Sequence, residues 1–236
     1  DSTEINLSDY FISDDINDLQ KFRLPDEIIF PMELMLICLS GDNITELDSN
    51  SMHYHSNFKL SYGEDIIISD ITGNIIDSKL VSTDRSRISE GRASDGSIDW
   101  GYFNNPTPGT TNDSSICYEG ISDSPKISLS SGWYNNQQFI TLNSDTLSQI
   151  YYTTNGDVPD TNDHLYIDTL FIDSTTVLSA RSFSSNNYLP SQVVDRTFIF
   201  NEENHNLPVF SIITDSLNLW DWDSGIYVLG PNADTT

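Results

Sequence analysis

The chain is short of basic residues. Ten Lys and Arg stand against 36 Asp and Glu in 236 residues, a formal net charge of −26. Contact with a phosphate backbone needs a cationic surface that displaces counterions, so charge argues against nucleic acid as a partner. An anionic lipid surface repels the chain for the same reason. Cysteine is scarcer still, with Cys38 and Cys117 only. Two cysteines make no disulfide framework. Cys38 lies in the apolar run at residues 34–39 and reads as a small buried hydrophobe. Cys117 lies in a polar connector, and the sequence leaves open whether the two pair. No apolar run approaches the roughly 20 residues that a membrane helix needs, and long amphipathic helical patterns are missing too. The chain opens at Asp1 in polar sequence, as a mature or trimmed protein would.

Chemical motifs are equally sparse. Gly-x-Ser-x-Gly, His-Glu-x-x-His, Gly-x-Gly-x-x-Gly and Gly-Lys-Ser/Thr are all absent, so neither a nucleophile elbow nor a phosphate-cradling loop is signalled. The four histidines are His53, His55, His164 and His205. His53-Tyr54-His55 sets two imidazoles on one strand face, a geometry a metal could use. Nothing nearby completes such a site, and a strand-end role is the plainer reading. With 36 acids, close carboxylate pairs arise by composition alone, so spacing identifies no glycosidase pair. The expectation is no hydrolase activity and no nucleotide site within these residues.

What the chain does have is short runs of Ile, Leu, Tyr and Phe between loops rich in Asn, Gly, Asp, Pro and Ser. Residues 149–191 show this most clearly. Ile150-Tyr151-Tyr152 runs towards Asn155-Gly156, a hairpin-type turn pair, and apolar runs follow at 165–172 and 176–183. Further strand candidates are residues 10–12, 22–24, and 65–71 with 74–80 around Thr72-Gly73-Asn74. Residues 34–39 form a continuous apolar run, as expected of a strand buried on both faces. At the far end, 207–214 and 225–228 read as strands around an acidic loop carrying Trp220 and Trp222. An all-β chain is expected.

Three sets of residues are candidates for binding or modification. Asp157, Asp160 and Asp163 recur in one loop beside Asn155 and Asn162. Oxygen-rich loops suit Ca²⁺, although the order departs from the EF-hand pattern and a solvated turn is the alternative. No other cofactor is indicated. Trp133-Tyr134 is either an exposed sugar-stacking pair or a plug for one end of a sandwich. Thr146, Thr169, Ser174 and Ser216 lie in Asp-Ser/Thr-x triplets that resemble an O-glycosylation sequon of some Gram-negative bacteria, a short pattern in a chain rich in these residues.

Several motifs resemble known families. Tyr151-Tyr152-Thr153, Asn155-Gly156, Pro159, Leu178-Ser179-Ala180-Arg181-Ser182-Phe183 and Tyr188-Leu189-Pro190-Ser191 resemble the Ig-like C-terminal domain of chitobiase and β-hexosaminidase proteins. That domain is the accessory part of its family, so the resemblance implies a module without activity. Residues 7–15, 55–60, 66–77, 91–103 and 106–112 resemble, in order, the motifs of a bacterial lamin-tail domain, an Ig-like sandwich. That family usually opens with an earlier strand pair, and this chain starts after it. An unpaired edge is therefore expected near residues 7–12 or 34–39. The sequences at 207–215 and 218–228 resemble the entry of CotH-type proteins, relatives of spore-coat kinases. If strands form there, both faces carry large apolar residues and want cover from a larger domain, from the second sandwich or from a partner.

The expected organisation is two tandem Ig-like antiparallel β-sandwiches and the first strands of a further domain: a lamin-tail-like sandwich at 1–113, a linker at 114–124, a chitobiase-C-terminal-like sandwich at 125–203, and a CotH-like opening at 204–236. The resemblances imply non-catalytic scaffold or recognition modules of a secreted or cell-surface bacterial protein. The alternatives are the accessory part of a CotH-like kinase, or a carbohydrate-binding or adhesin module. The expected partners are other domains of the same protein, a surface or secretion complex, and carbohydrate.

Overall fold

A computed structural model describes residues 3–47, 52–145, 147–184, 187–200 and 208–230. The chain divides into two compact units, Asp1–Cys117 and Tyr118–Thr236. As the strand-like runs predict, the structure is nearly all β, at 37% strand and 3% helix.

The first unit opens with β1 (Ile5–Asn6), a 3-10 turn at Leu7–Asp9, β2 (Tyr10–Ser13), β3 (Phe22–Arg23), β4 (Ile28–Ile29) and β5 (Ile37–Cys38). It continues with β6 (Tyr54–His55), β7 (Asp65–Asp70), β8 (Ile75–Leu80), β9 (Ser89–Arg92) and β10 (Trp100–Phe103). Its main sheet is antiparallel in the order β3-β2-β7-β8. Strand alternation puts Ile12, Phe22, Ile66 and Ile68 with Leu24 and Phe58 in one core. On the other face of the sheet Ser13, Ile67 and Ser69 are also buried.

The hairpin between β7 and β8 is closed by Asp70. Its carboxylate accepts from Thr72 N at 2.8 Å, Asn74 N at 2.9 Å and Thr72 Oγ1 at 2.7 Å. Gly73 takes the left-handed φ of +84° that this turn needs. The β9–β10 hairpin is tied to β8 through side chains. Arg92 Nη2 meets Asp77 at 2.6 Å and Lys79 Nζ meets Glu90 at 3.1 Å. Both cations lie over the Trp100 ring, at 4.4 Å for Arg92 and 5.4 Å for Lys79.

Of two expectations for this unit, one is overturned and one holds in part. Residues 34–39 are not a strand buried on both faces. Only Ile37–Cys38 pairs, in parallel with β6, and Leu34 and Leu36 are 49% and 39% exposed. Of the two places where an unpaired edge is expected, Ile37–Cys38 has a ladder partner on one side only, whereas residues 7–12 present no bare edge. The chain turns back after β2 so that β3 covers that edge, leaving β2 interior to the sheet. Cys38 and Cys117 do not pair in a disulfide.

The second unit contains β11 (Gly120–Ile121), β12 (Lys126–Ile127), β13 (Gly132–Tyr134), β14 (Gln138–Ile140), β15 (Leu142–Asn143) and β16 (Ser148–Thr153). These are followed by β17 (His164–Leu165), β18 (Leu170–Ile172), β19 (Thr176–Ser184), β20 (Tyr188–Leu189) and β21 (Val194–Phe200). Five strands form one sheet, β13-β21-β19-β16-β17. Ile150, Leu178, Ala180, Phe198 and Phe200 project from it onto Ile140, Leu142 and Ile172 of the β14–β18 and β12–β15 pairs. This is sheet-on-sheet packing of inward-facing residues. Asn155-Gly156 is not a two-residue hairpin, because β16 meets β17 only after residues 154–163. The loop instead folds back. Thr153 Oγ1 donates to Asp157 O at 2.6 Å, Asn155 bridges Val177, and Pro159 is fully buried.

The expected strands at 207–214 and 225–228 do not form among the described residues, and residue 207 itself lies outside them. A four-residue helix, α1 (Leu217–Trp220), stands there with turns around it. Ser211 Oγ hydrogen-bonds Thr197 Oγ1 of β21 at 2.7 Å. Thr197 already pairs with Val177 of β19 and gives its N–H to Ser131 Oγ at 3.0 Å, and Ser211 meets it through the side chain. Residues 226 and 227 give their N–H groups to Asn218 O and Leu219 O at 3.1 and 2.9 Å. That contact folds the chain onto the helix in place of a ladder.

Candidate functional site

The expected aromatic pair does not form a platform. Successive side chains on a strand point to opposite faces, and β13 separates Trp133 from Tyr134. Tyr134 turns inward, its ring 5.9 Å from both Phe198 and Phe200. Its hydroxyl donates to Ser130 O at 2.7 Å. Trp133 is 37% exposed on the other side. Tyr134 therefore plugs the sandwich. An exposed pair exists elsewhere: Phe139 and Phe171, directly opposite on β14 and β18, have centroids 5.6 Å apart and a 57° tilt. A 57° tilt gives no single flat face for a sugar ring.

Asp157, Asp160 and Asp163 are not drawn into one cation site. Each carboxylate serves its own turn. Asp157 accepts from Asn155 Nδ2 at 2.6 Å, Asp160 from Asn162 N at 2.7 Å, and Asp163 from Asp160 N at 2.8 Å. Among the described residues no group of three His, Cys, Asp or Glu side chains is placed to hold a metal ion. Short-range Asx hydrogen bonds direct the carboxylates along the loop, which favours the solvated turn over the calcium site. The imidazoles of His53 and His55 also part. His53 lines a cavity beside Tyr54, whereas His55 meets Ser40 and Asp42.

Sequence reading missed that last cluster. Ser40 Oγ donates to Asp42 Oδ2 at 2.7 Å and lies 2.7 Å from His55 Nδ1. His55 Nδ1 is 3.5 Å from Asp42 Oδ2. A hydrolytic relay needs serine and acid on opposite ring nitrogens. Here both approach Nδ1. With Asp42 on the same nitrogen as Ser40, no acid stands on the far side of the ring to orient it as a base. The cluster pins the loop that links β5 to the bridge between Ile44 and His55.

Carboxylates with lowered pKa follow the same local logic. Asp70 is held down to about 2, chiefly by the Thr72 and Asn74 side chains. Ser148 lowers Asp145 and Ser224 lowers Asp221, each with help from backbone N–H groups. Tyr54 moves the other way: burial raises its pKa, and its hydroxyl bond to Glu27 at 2.9 Å adds to the rise. Of the modification candidates, Thr169, Ser174 and Ser216 are exposed, and Thr146 lies outside the described residues.

No curated protein and no solved structure matches the chain. Residues 129–195 match the family described as chitobiase/beta-hexosaminidase C-terminal domain. The match runs from Leu129, at the edge of the sandwich core, to Asp195 on β21. The second unit is thus similar to that domain over most of its five-stranded sheet.

Proposed function

We propose that the chain is a non-catalytic scaffold or recognition portion of a secreted or cell-surface bacterial protein that acts on or near carbohydrate. The match of residues 129–195 to a chitobiase/beta-hexosaminidase C-terminal domain carries this reading. The geometry supports it, since the polar side chains of that stretch serve turns and the sandwich rather than converging on a reaction centre. The first unit is read as a lamin-tail-like sandwich that spaces or presents its neighbour.

A second reading has its own observation. Phe210, Ile212, Ile226 and Leu229 are 74–87% exposed, and the Trp220 and Tyr227 rings stack 5.3 Å apart beside them. So much bare apolar surface suits the opening of a larger CotH-like domain, for which the preceding units would be the accessory part.

Two assays on the purified chain test the absence of activity that both readings expect of these residues. Incubation with chitooligosaccharides is expected to give no turnover above buffer, and turnover abolished by one substitution would overturn the non-catalytic reading. Calorimetric titration with ATP and Mg²⁺ is expected to show no saturable binding. Micromolar binding would place a nucleotide site within these residues.

A further inference from the structure

Two cavities in the first unit share a wall. One, of about 250 Å³, is lined by residues that include Glu27, Ile28, Glu33, Leu34, Met35 and Tyr54. The other, of about 310 Å³, runs from Leu34 and Met35 to Glu90 and the Pro106–Thr110 loop. Leu34 and Met35 line both, so the cavities are successive depressions along one groove. The shared wall lies between β4 and β5, and residues 33–36 belong to no strand.

The groove is apolar and adaptable on one side. Ile28, Leu34, Leu36 and Leu47 are 39–50% exposed there and Met52 is 82% exposed. Methionine beside branched aliphatics adapts to side chains of different shape. The other side is preformed. Pro106 and Pro108 fix the backbone, and Thr107 Oγ1 is held by Asn112 at 2.9 Å while Asn112 Nδ2 is anchored on Arg92 O at 3.0 Å.

Charge in the groove has one sign. Glu27, Glu33 and Glu90 line the two cavities, and neither contains a Lys or Arg. Glu27 and Glu33 are fixed in place by the Tyr54 hydroxyl and by Phe30 N at 2.8 Å. Glu90 is buried, its side chain only 10% exposed. One of its oxygens takes the Ser82 N–H at 2.7 Å. The other lies 3.1 Å from Lys79 Nζ, yet no donor is directed at it.

We propose that this groove docks an extended segment of a partner protein whose apolar side chains alternate with Lys or Arg. Apolar residues would fill the two depressions and the cations would meet Glu27 and Glu33, since Glu90 is buried against Lys79. Charge complementarity decides the occupant. A second copy of a chain at −26 would bring repulsion, and Tyr54, the one Phe, Tyr or Trp in the two linings, is only 8% exposed and gives a sugar no stacking face.

The test uses the full chain and three fluorescein-labelled nonapeptides: alternating Lys and Leu, alternating Lys and Ser, and alternating Glu and Leu. Anisotropy should rank Lys-Leu at least about tenfold tighter than Lys-Ser, and Glu-Leu should not bind. Leu34→Asp, at an exposed position, and Glu33→Gln should each weaken Lys-Leu binding several-fold, while Phe139→Ser on the second unit leaves it unchanged. Backbone amide shifts on titration should cluster in residues 27–36 and 106–110. Equal binding of Lys-Leu and Lys-Ser, or binding indifferent to Leu34→Asp, would reduce the effect to adsorption on an acidic surface and overturn the proposal. No binding of Lys-Leu would overturn it too. Neither result bears on the two assays given for the overall function.

Discussion

The two units bury their apolar side chains by different means. The second has long strands, β19 with nine residues and β21 with seven, and eight buried side chains meet in one core. The first has strands of two to six residues and a core cluster of four buried side chains. It adds polar fasteners: the Asp70 turn, the Ser40–Asp42–His55 pin, and the Arg92 and Lys79 cations stacked on Trp100. Hydrophobic burial is non-directional and scales with area. Capped turns and cation–ring contacts depend on geometry, and their charged members answer to pH and salt. The second unit should therefore respond mainly to lost volume, and the first mainly to conditions.

The largest expected effect is in the second unit. Leu178 is fully buried in its core, and Leu178→Ala should lower stability by about 2–5 kcal/mol. Calorimetry should show the transition of that unit moving down while that of the first unit stays. A shift of both transitions would mean that the units do not unfold separately.

A smaller loss is expected from Arg92→Ala in the first unit. The guanidinium is about a third exposed, pairs with Asp77 and covers Trp100. Partly solvated contacts of this kind are worth roughly 1 kcal/mol together. Urea titration followed by tryptophan fluorescence should find that loss, and it should shrink in 1 M salt to the part owed to ring contact. A loss independent of salt would assign the whole effect to packing.

The smallest effect concerns pH. Asp70 titrates near 2 when folded against an ordinary 3.8. A depressed pKa stabilises the fold above the unfolded value, and that contribution disappears as pH falls through the folded one. The melting temperature of the first unit should thus decline between about pH 4 and pH 2, and Asp70→Ala should make that decline shallower. Parallel pH profiles for the two proteins would remove the turn from the account.

The β class and the longer strands were legible because they rest on local signals. Residues 176–183 alternate and branch as a strand should, and β19 lies at Thr176–Ser184. Thr72-Gly73-Asn74 marked a hairpin, and β7 and β8 flank it. What failed depended on neighbours. Residues 34–39 are apolar enough for a central strand, but only Ile37 and Cys38 find a ladder partner. Residues 207–214 have strand-like composition, yet Ser211 meets β21 through a side-chain hydroxyl rather than a ladder. The candidate sites were less legible still. Asp157, Asp160 and Asp163 are close in sequence, but each bonds within its own turn. The groove joins residues near 28, 34, 90 and 107, which only the fold brings together.

In the second unit, the strand that opens the large sheet pairs in parallel with the strand that closes it. β13 runs alongside the end of β21, with Gly132, Trp133 and Tyr134 opposite Phe198, Ile199 and Phe200. Tension applied at the ends of this unit pulls the start of β13 against the end of β21. Parallel strands loaded in that way slide, and their ladder bonds share the force at once instead of opening in turn. Pairing of this kind opposes stretching along the chain, a property that the proposed scaffold role would call on.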